Sequence, residues 1–262
     1  MRIGAVSYLN TKPLVYRLAQ IAPRATVVYD LPSRLADRLA AGELDVALIP
    51  SVEYFQAANY QVVSDACIAC RGPVLSVKLL SRTPLGEIRT LALDEGSRTS
   101  VALVRILLQQ RFGLTPSLTG LPIDADVGQV DTDAILLIGD RAIHPPLAEF
   151  AEHWDLGEQW CRWAQLPFVF AMWTAREDVD LEPLASVLRQ ARDEGVAHLA
   201  EIAQDQALQV GLSPEECLSY LRDNLYFYLG EREQRGLELF RRHAAAFVSK
   251  SEERIMNYET IN

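Results

Sequence analysis

The chain has 262 residues, with 25 Lys and Arg against 35 Asp and Glu, a formal net charge of −10, and a composition that is 49% hydrophobic and 23% charged. That balance argues against a strongly basic nucleic-acid binder, and the hydrophobic share is too high for a disordered chain. A chain of this length forms one large domain or two small ones, and topology decides between them.

In chain order, Ile3 to Val6 reads as a strand, Ser7 to Asn10 as a polar loop, and Leu14, Leu18 and Ile21 as one face of a helix. Thr26 to Tyr29 is a second strand. Ser33 is the expected N-cap of a helix from Arg34 to Ala41, Gly42 ends it, and Val46 to Ile49 follows as a third strand. A β-α-β-α-β order implies a parallel sheet whose loops gather at one ligand-binding edge. Two apolar stretches between Val62 and Leu80, interrupted at Arg71, Gly72 and Pro73, read as long strands crossing between lobes. Thr90 to Leu93, the helix Arg98 to Phe112, Leu114 to Leu118 and Ala134 to Ile138 make a further α/β unit. The aromatic run from Gln165 to Ala175 reads as a strand returning to the first lobe, and from Glu182 onward the pattern is helical.

This order predicts an α/β, bilobal, periplasmic-binding-protein-like (type II) fold with its ligand cleft between the lobes. The expected first lobe is 1–82 plus 172–262, and the inserted lobe is 83–171. The start of the chain reaches Asn10 and Lys12 before an apolar export signal forms, and no run of about 18 apolar residues occurs. The sequence therefore predicts a cytoplasmic protein without membrane insertion, its four cysteines present as thiols. Nothing in it specifies an oligomeric state.

Two strand-to-helix junctions concentrate polar groups. At the first, Ser7, Tyr8, Asn10 and Thr11 either cap the next element or meet a ligand at the strand end. At the second, Asp94-Glu95-Gly96-Ser97-Arg98-Thr99-Ser100 places three hydroxyls and an arginine at a helix start, which suits either a cap or a nest for an anionic ligand. Alternation along its strand puts Ser76 on one face with Val74, either as a backbone-bonded filler or facing the cleft, while Asp140 is a ligand contact, a local ion-pair partner or a turn residue. Cys67 and Cys70 have CxxC spacing but no second pair or nearby histidine, so no metal site is expected. There is no GxSxG, Walker A or GxGxxG sequence, which argues against a serine hydrolase, a P-loop NTPase and a Rossmann dinucleotide enzyme.

Val6-Ser7-Tyr8-Leu9-Asn10-Thr11-Lys12-Pro13-Leu14 resembles the opening signature of the chorismate dehydratase family of the futalosine route to menaquinone. Four later segments match in order: Gly42 to Ser51, Gly72 to Val77, Leu93 to Ser100 and Leu166 to Trp173. The resemblance implies a bilobal enzyme without metal or nucleotide cofactor that converts chorismate to 3-[(1-carboxyvinyl)oxy]benzoate and water. It implies catalytic roles for Asn10 and Ser76, with Ser7, Tyr8, Thr11, Ser51, Ser97, Arg98, Thr99, Ser100 and Asp140 as candidate substrate contacts. The rivals are the related dihydroxynaphthoate synthase, for which a catalytic histidine is expected, and a non-catalytic cytoplasmic binding or sensor protein for a small aromatic carboxylate.

Overall fold

Branched and aromatic residues favour the pleated, half-buried surface of a sheet, and runs of them supply nearly every strand here. The computed structural model describes residues 1–146, 149–177, 179 and 182–248. From the start, β1 (Arg2–Val6), α1 (Leu18–Ile21), β2 (Thr26–Asp30), α2 (Pro32–Ala40), β3 (Val46–Pro50), α3 (Ser51–Gln56) and β4 (Tyr60–Cys70) build the first sheet and its cover. The second sheet follows with β5 (Val77–Ser81), β6 (Thr90–Asp94), α4 (Arg98–Phe112), β7 (Ser117–Leu121), β8 (Ala134–Ile138), β9 (Glu152–Asp155) and α5 (Leu156–Ala164). The chain then returns through β10 (Phe168–Arg176), α6 (Glu182–Ala197), α7 (Leu199–Val210), α8 (Pro214–Ser219), β11 (Tyr226–Tyr228) and α9 (Glu231–Val248).

The first sheet has the order β11-β4-β10-β3-β1-β2 and the second β7-β6-β8-β5-β9. Both are mixed: β1 runs parallel to β2 and β3, while β10 is antiparallel to both of its neighbours, β3 and β4. In the second sheet β6 is parallel to β7 and β8, and β5 is antiparallel to β8 and β9. These pairings correct the expected lobe boundaries. Val77–Ser81 pairs wholly within the second sheet and Phe168–Arg176 wholly within the first, so the chain crosses at 71–76 and 165–167 rather than at 82 and 171. The tail of the expected third segment, 249–262, lies outside the described residues.

One apolar cluster runs from Ile3 and Leu48 through Trp160 and Phe168 to Leu79, Leu107 and Leu136, so the two lobes share a continuous core in this closed arrangement. Local expectations were corrected at three further places. The expected first helix is a 3-10 turn over Leu9–Val15, followed by α1 after a left-handed residue, Arg17. Pro13 lies inside that turn and brings no N–H to continue an α-helical ladder. Ser33 does not cap α2, which starts at Pro32; its hydroxyl donates to the Glu95 carbonyl of the second lobe at 2.9 Å. The helical run from Leu184 to Ile202 breaks into α6 and α7 at His198.

Candidate functional site

A pocket lies between the lobes, where a bilobal fold places its ligand. Tyr8, Asn10, Ser76, Ser97 and Ser100 supply its polar side chains, while Val74, Ile138 and Phe170 are among its apolar walls. All the residues that line it are uncharged. The lining offers hydroxyls, the Asn10 amide and the start of α4 rather than a cation.

Asn10 reaches the pocket from the Leu9–Val15 turn, whose start is closed by the Thr11 N–H donating to the Tyr8 carbonyl. The Thr11 hydroxyl donates to Asn10 Oδ1 at 3.3 Å. Ser76 comes from the crossing segment, and here the expected alternation is replaced by a turn. Leu75 adopts a left-handed φ of 60°, and the Ser76 N–H closes onto the Val74 carbonyl at 2.7 Å. The Asp155 carboxylate holds this turn, accepting from the N–H groups of Val74 and Leu75 while capping α5 through Glu158. Val74 and Ser76 do share the pocket, brought there by the left-handed residue between them.

Beside Ser76, Gly139 has a φ of 71° and donates its N–H to the Ser76 carbonyl at 2.9 Å. The Tyr8 ring lies where a Cβ on Gly139 would stand, 2.7 Å from that position, so only glycine admits both the backbone angle and the ring. Burial pushes the Tyr8 phenol pKa well above its ordinary value, as does the nearby Asp94 charge, and among the described residues its hydroxyl has no hydrogen-bond partner. Asp94, fully buried, is neutralised by Arg141 and accepts from the N–H groups of Gly96 and Ile138, which fixes the turn leading into α4.

Ser97 caps α4: its hydroxyl accepts from the Ser100 N–H at 3.2 Å and lies 3.0 Å from the Ser100 hydroxyl. The cap and ligand readings of this junction therefore coexist, since both hydroxyls also face the pocket. Six expected contacts lie outside the pocket lining, each with another task. Arg98 pairs with Asp37 at 2.7 Å and Glu53 at 3.3 Å, tying α4 to the first lobe. The Thr99 hydroxyl accepts from the Val52 N–H, and the Ser51 hydroxyl donates to the Val169 carbonyl. Asp140 accepts from the Leu9 N–H across the cleft, Thr11 supports Asn10, and Ser7 is exposed.

A residue missed from the sequence is Tyr220, 1% exposed, at the π-helical turn Tyr220–Asn224. Its hydroxyl has no aligned hydrogen bond among the described residues. Burial pushes its pKa far above the ordinary phenol value, and the Ser76 and Asn10 side chains oppose the rise. Its place in a helical, aromatic-rich stretch gave no signal of this encounter.

The profile of a family described as menaquinone biosynthesis matches residues 1–246. The chain belongs to this menaquinone biosynthesis family. It is 32% identical to the chorismate dehydratase of Thermus thermophilus over 91% of this chain and 93% of the relative. Among solved structures, protein AF1704 from Archaeoglobus fulgidus superposes with a TM-score of 0.75 at 15% identity, covering 94% of this chain and 96% of the other. The Candida albicans CA3427 gene product, which has the generic periplasmic binding protein fold, gives 0.62 at 12% identity over 94% and 90%. These likenesses establish the bilobal binding-protein fold. In this menaquinone biosynthesis family member no histidine lines the pocket: His198 stacks on Tyr16, His243 packs on Trp163, and His144 faces Glu216. The histidine-dependent rival finds no support in that geometry. Cys67 and Cys70 are fully buried in β4, where burial pushes both thiols up and suppresses thiolate chemistry. No helix among the described residues is long and apolar enough to cross a membrane.

Proposed function

We propose that the protein is a chorismate dehydratase, a hydro-lyase that converts chorismate to 3-[(1-carboxyvinyl)oxy]benzoate and water in the futalosine route to menaquinone. The observation that carries the reading is the meeting of Asn10 and Ser76, far apart in sequence, in one uncharged pocket of a chain from this family. The reaction breaks the C3–H and C4–O bonds of the ring. The C–H electron pair becomes the third ring double bond, the hydroxyl leaves, and the proton departs with it as water. Aromatisation drives the step, and its balance requires no redox partner.

An uncharged lining supplies no carboxylate or imidazole base, so the enolpyruvyl carboxylate of the substrate takes the C3 proton when it is held against it. Asn10 orients the substrate's polar groups. Ser76 donates to a carboxylate or to the departing hydroxyl, and the Ser97 and Ser100 hydroxyls at the start of α4 receive anionic oxygen. We assign the enzyme to the cytoplasm, where its free cysteines stay reduced.

The test is to incubate the purified protein with chorismate and identify the product by mass. Asn10→Ala and Ser76→Ala should each fold normally and slow turnover by roughly 10²- to 10³-fold, the loss seen when one preorganised donor is removed. If chorismate is bound but returned unchanged by the unmodified protein, a binding function takes the place of catalysis.

A further inference from the structure

A serine hydroxyl both donates and accepts, and a primary amide does the same with its two ends, so what stands behind them decides which end faces a ligand. Behind Asn10 and Ser76 stands Tyr220. Its ring is 1% exposed, its hydroxyl has no hydrogen-bond partner among the described residues, and the turn it opens is tied to the crossing segment that carries Ser76 by the Asn224 amide N–H donating to the Pro73 carbonyl at 3.0 Å. The Ser76 and Asn10 side chains both act on its phenol. Leaving a buried hydroxyl unpaired is costly unless a partner forms in another state of the molecule.

We propose that Tyr220 is a positioning residue whose hydroxyl donates to Ser76 Oγ and Asn10 Oδ1, turning the Ser76 proton and the Asn10 amide N–H toward an anionic group in the pocket. In this buried place the phenol remains protonated, so it acts as a donor. Ser76 Oγ, once it accepts from behind, can give its own proton only forward. Asn10 Oδ1 already accepts from the Thr11 hydroxyl, and a second donor from Tyr220 leaves the amide N–H₂ as the end that meets substrate. The site then offers donors to charge that builds on a carboxylate or a departing hydroxyl, as an uncharged pocket for a dianion requires. Bonds in such a chain also strengthen one another.

The inference rests on the dehydratase reading, and Tyr220→Phe tests it by keeping the ring and removing one oxygen. A merely space-filling tyrosine predicts an unchanged or raised melting temperature and unchanged kinetics, because an unpaired buried hydroxyl is lost. A positioning role predicts the same melting behaviour with kcat lowered roughly 10- to 100-fold and KM changed far less, the scale of one hydrogen bond to a charged group. Adding Tyr220→Phe to Ser76→Ala should then cost much less than it does alone, since the group it acts through is gone. Unchanged kcat in an active protein overturns the inference, as do fully multiplicative losses in the double variant. A Tyr220→Phe protein that fails to fold assigns the hydroxyl to the fold and also overturns it. If the unmodified protein leaves chorismate intact, the dehydratase reading itself falls, and this inference with it.

Discussion

Asp140 shows how one carboxylate can serve structure at a functional edge. Burial raises its pKa above the ordinary carboxylate value, while the Leu9 N–H and the Lys12 charge hold it partly back. Because the folded value exceeds the unfolded one, the folded protein holds more protons between them. Its stability contribution is therefore present at low pH and is lost as pH rises from the unfolded value through the raised folded one, then stays level. Asp140→Asn keeps an oxygen for the Leu9 N–H and removes the ionisation. Denaturant midpoints measured between about pH 4 and 8 should show the variant gaining on the parent as pH rises through that window. Parallel curves would show that the carboxylate is not desolvated as the structure indicates.

At the scale of elements, the Leu9–Val15 turn depends on a helix far along the chain. A Cβ on Gly195 of α6 would lie 2.0 Å from the Pro13 carbonyl oxygen, so glycine lets the helix press directly on the turn that carries Asn10. Gly195→Ala gains helix propensity of about 1 kcal/mol but forces a backbone clash. The clash dominates, because a contact this short requires the turn to move. We expect a net loss of about 1–3 kcal/mol, the range for overpacked sites, together with lower dehydration activity. Calorimetric unfolding checks the first, and a melting temperature at or above the parent's would show that the turn yields freely.

The same scale shows what was legible. The helix Arg98–Phe112 has its ends written in sequence, with Ser97 as the cap and Gly113 in the left-handed region at φ 70°. Ala134–Ile138 is a buried run of five apolar residues and appears as the strand expected. By contrast, β11 spans three residues amid helical patterning and exists because the edge of β4 offers it partners. Asn10, Ser76, Ser97 and Ser100 stood at legible strand ends and helix starts. Arg98 stood at a helix start too, but its ion pairs with Asp37 and Glu53, like the place of Tyr220, are set by residues brought near only by the fold.

At the scale of the whole molecule, the described arrangement is closed. Arg98 joins Asp37 and Glu53, Ser33 joins Glu95, and Asp140 joins Leu9, each pair spanning the two lobes. A hinge motion at the crossings would open these ties to substrate. The Arg98 side chain is 41% exposed, so solvent screens its pairs and limits each to about 0–1 kcal/mol. Arg98→Ala should therefore raise KM for chorismate by up to about fivefold with little effect on kcat, and should enlarge the ligand-free scattering envelope. Identical scattering and identical KM would remove Arg98 from the closing device.

The interleaved sheet order also has a consequence for how the chain is made. Every strand of the second sheet lies between Val77 and Asp155, so that sheet can be completed while the polypeptide is still growing. The first sheet is completed later, because its β3 and β4 are joined through Phe168–Arg176, synthesised after every strand of the second sheet. During translation the earliest strands must therefore wait with an open seam, and the lobe that begins first is the one that closes last.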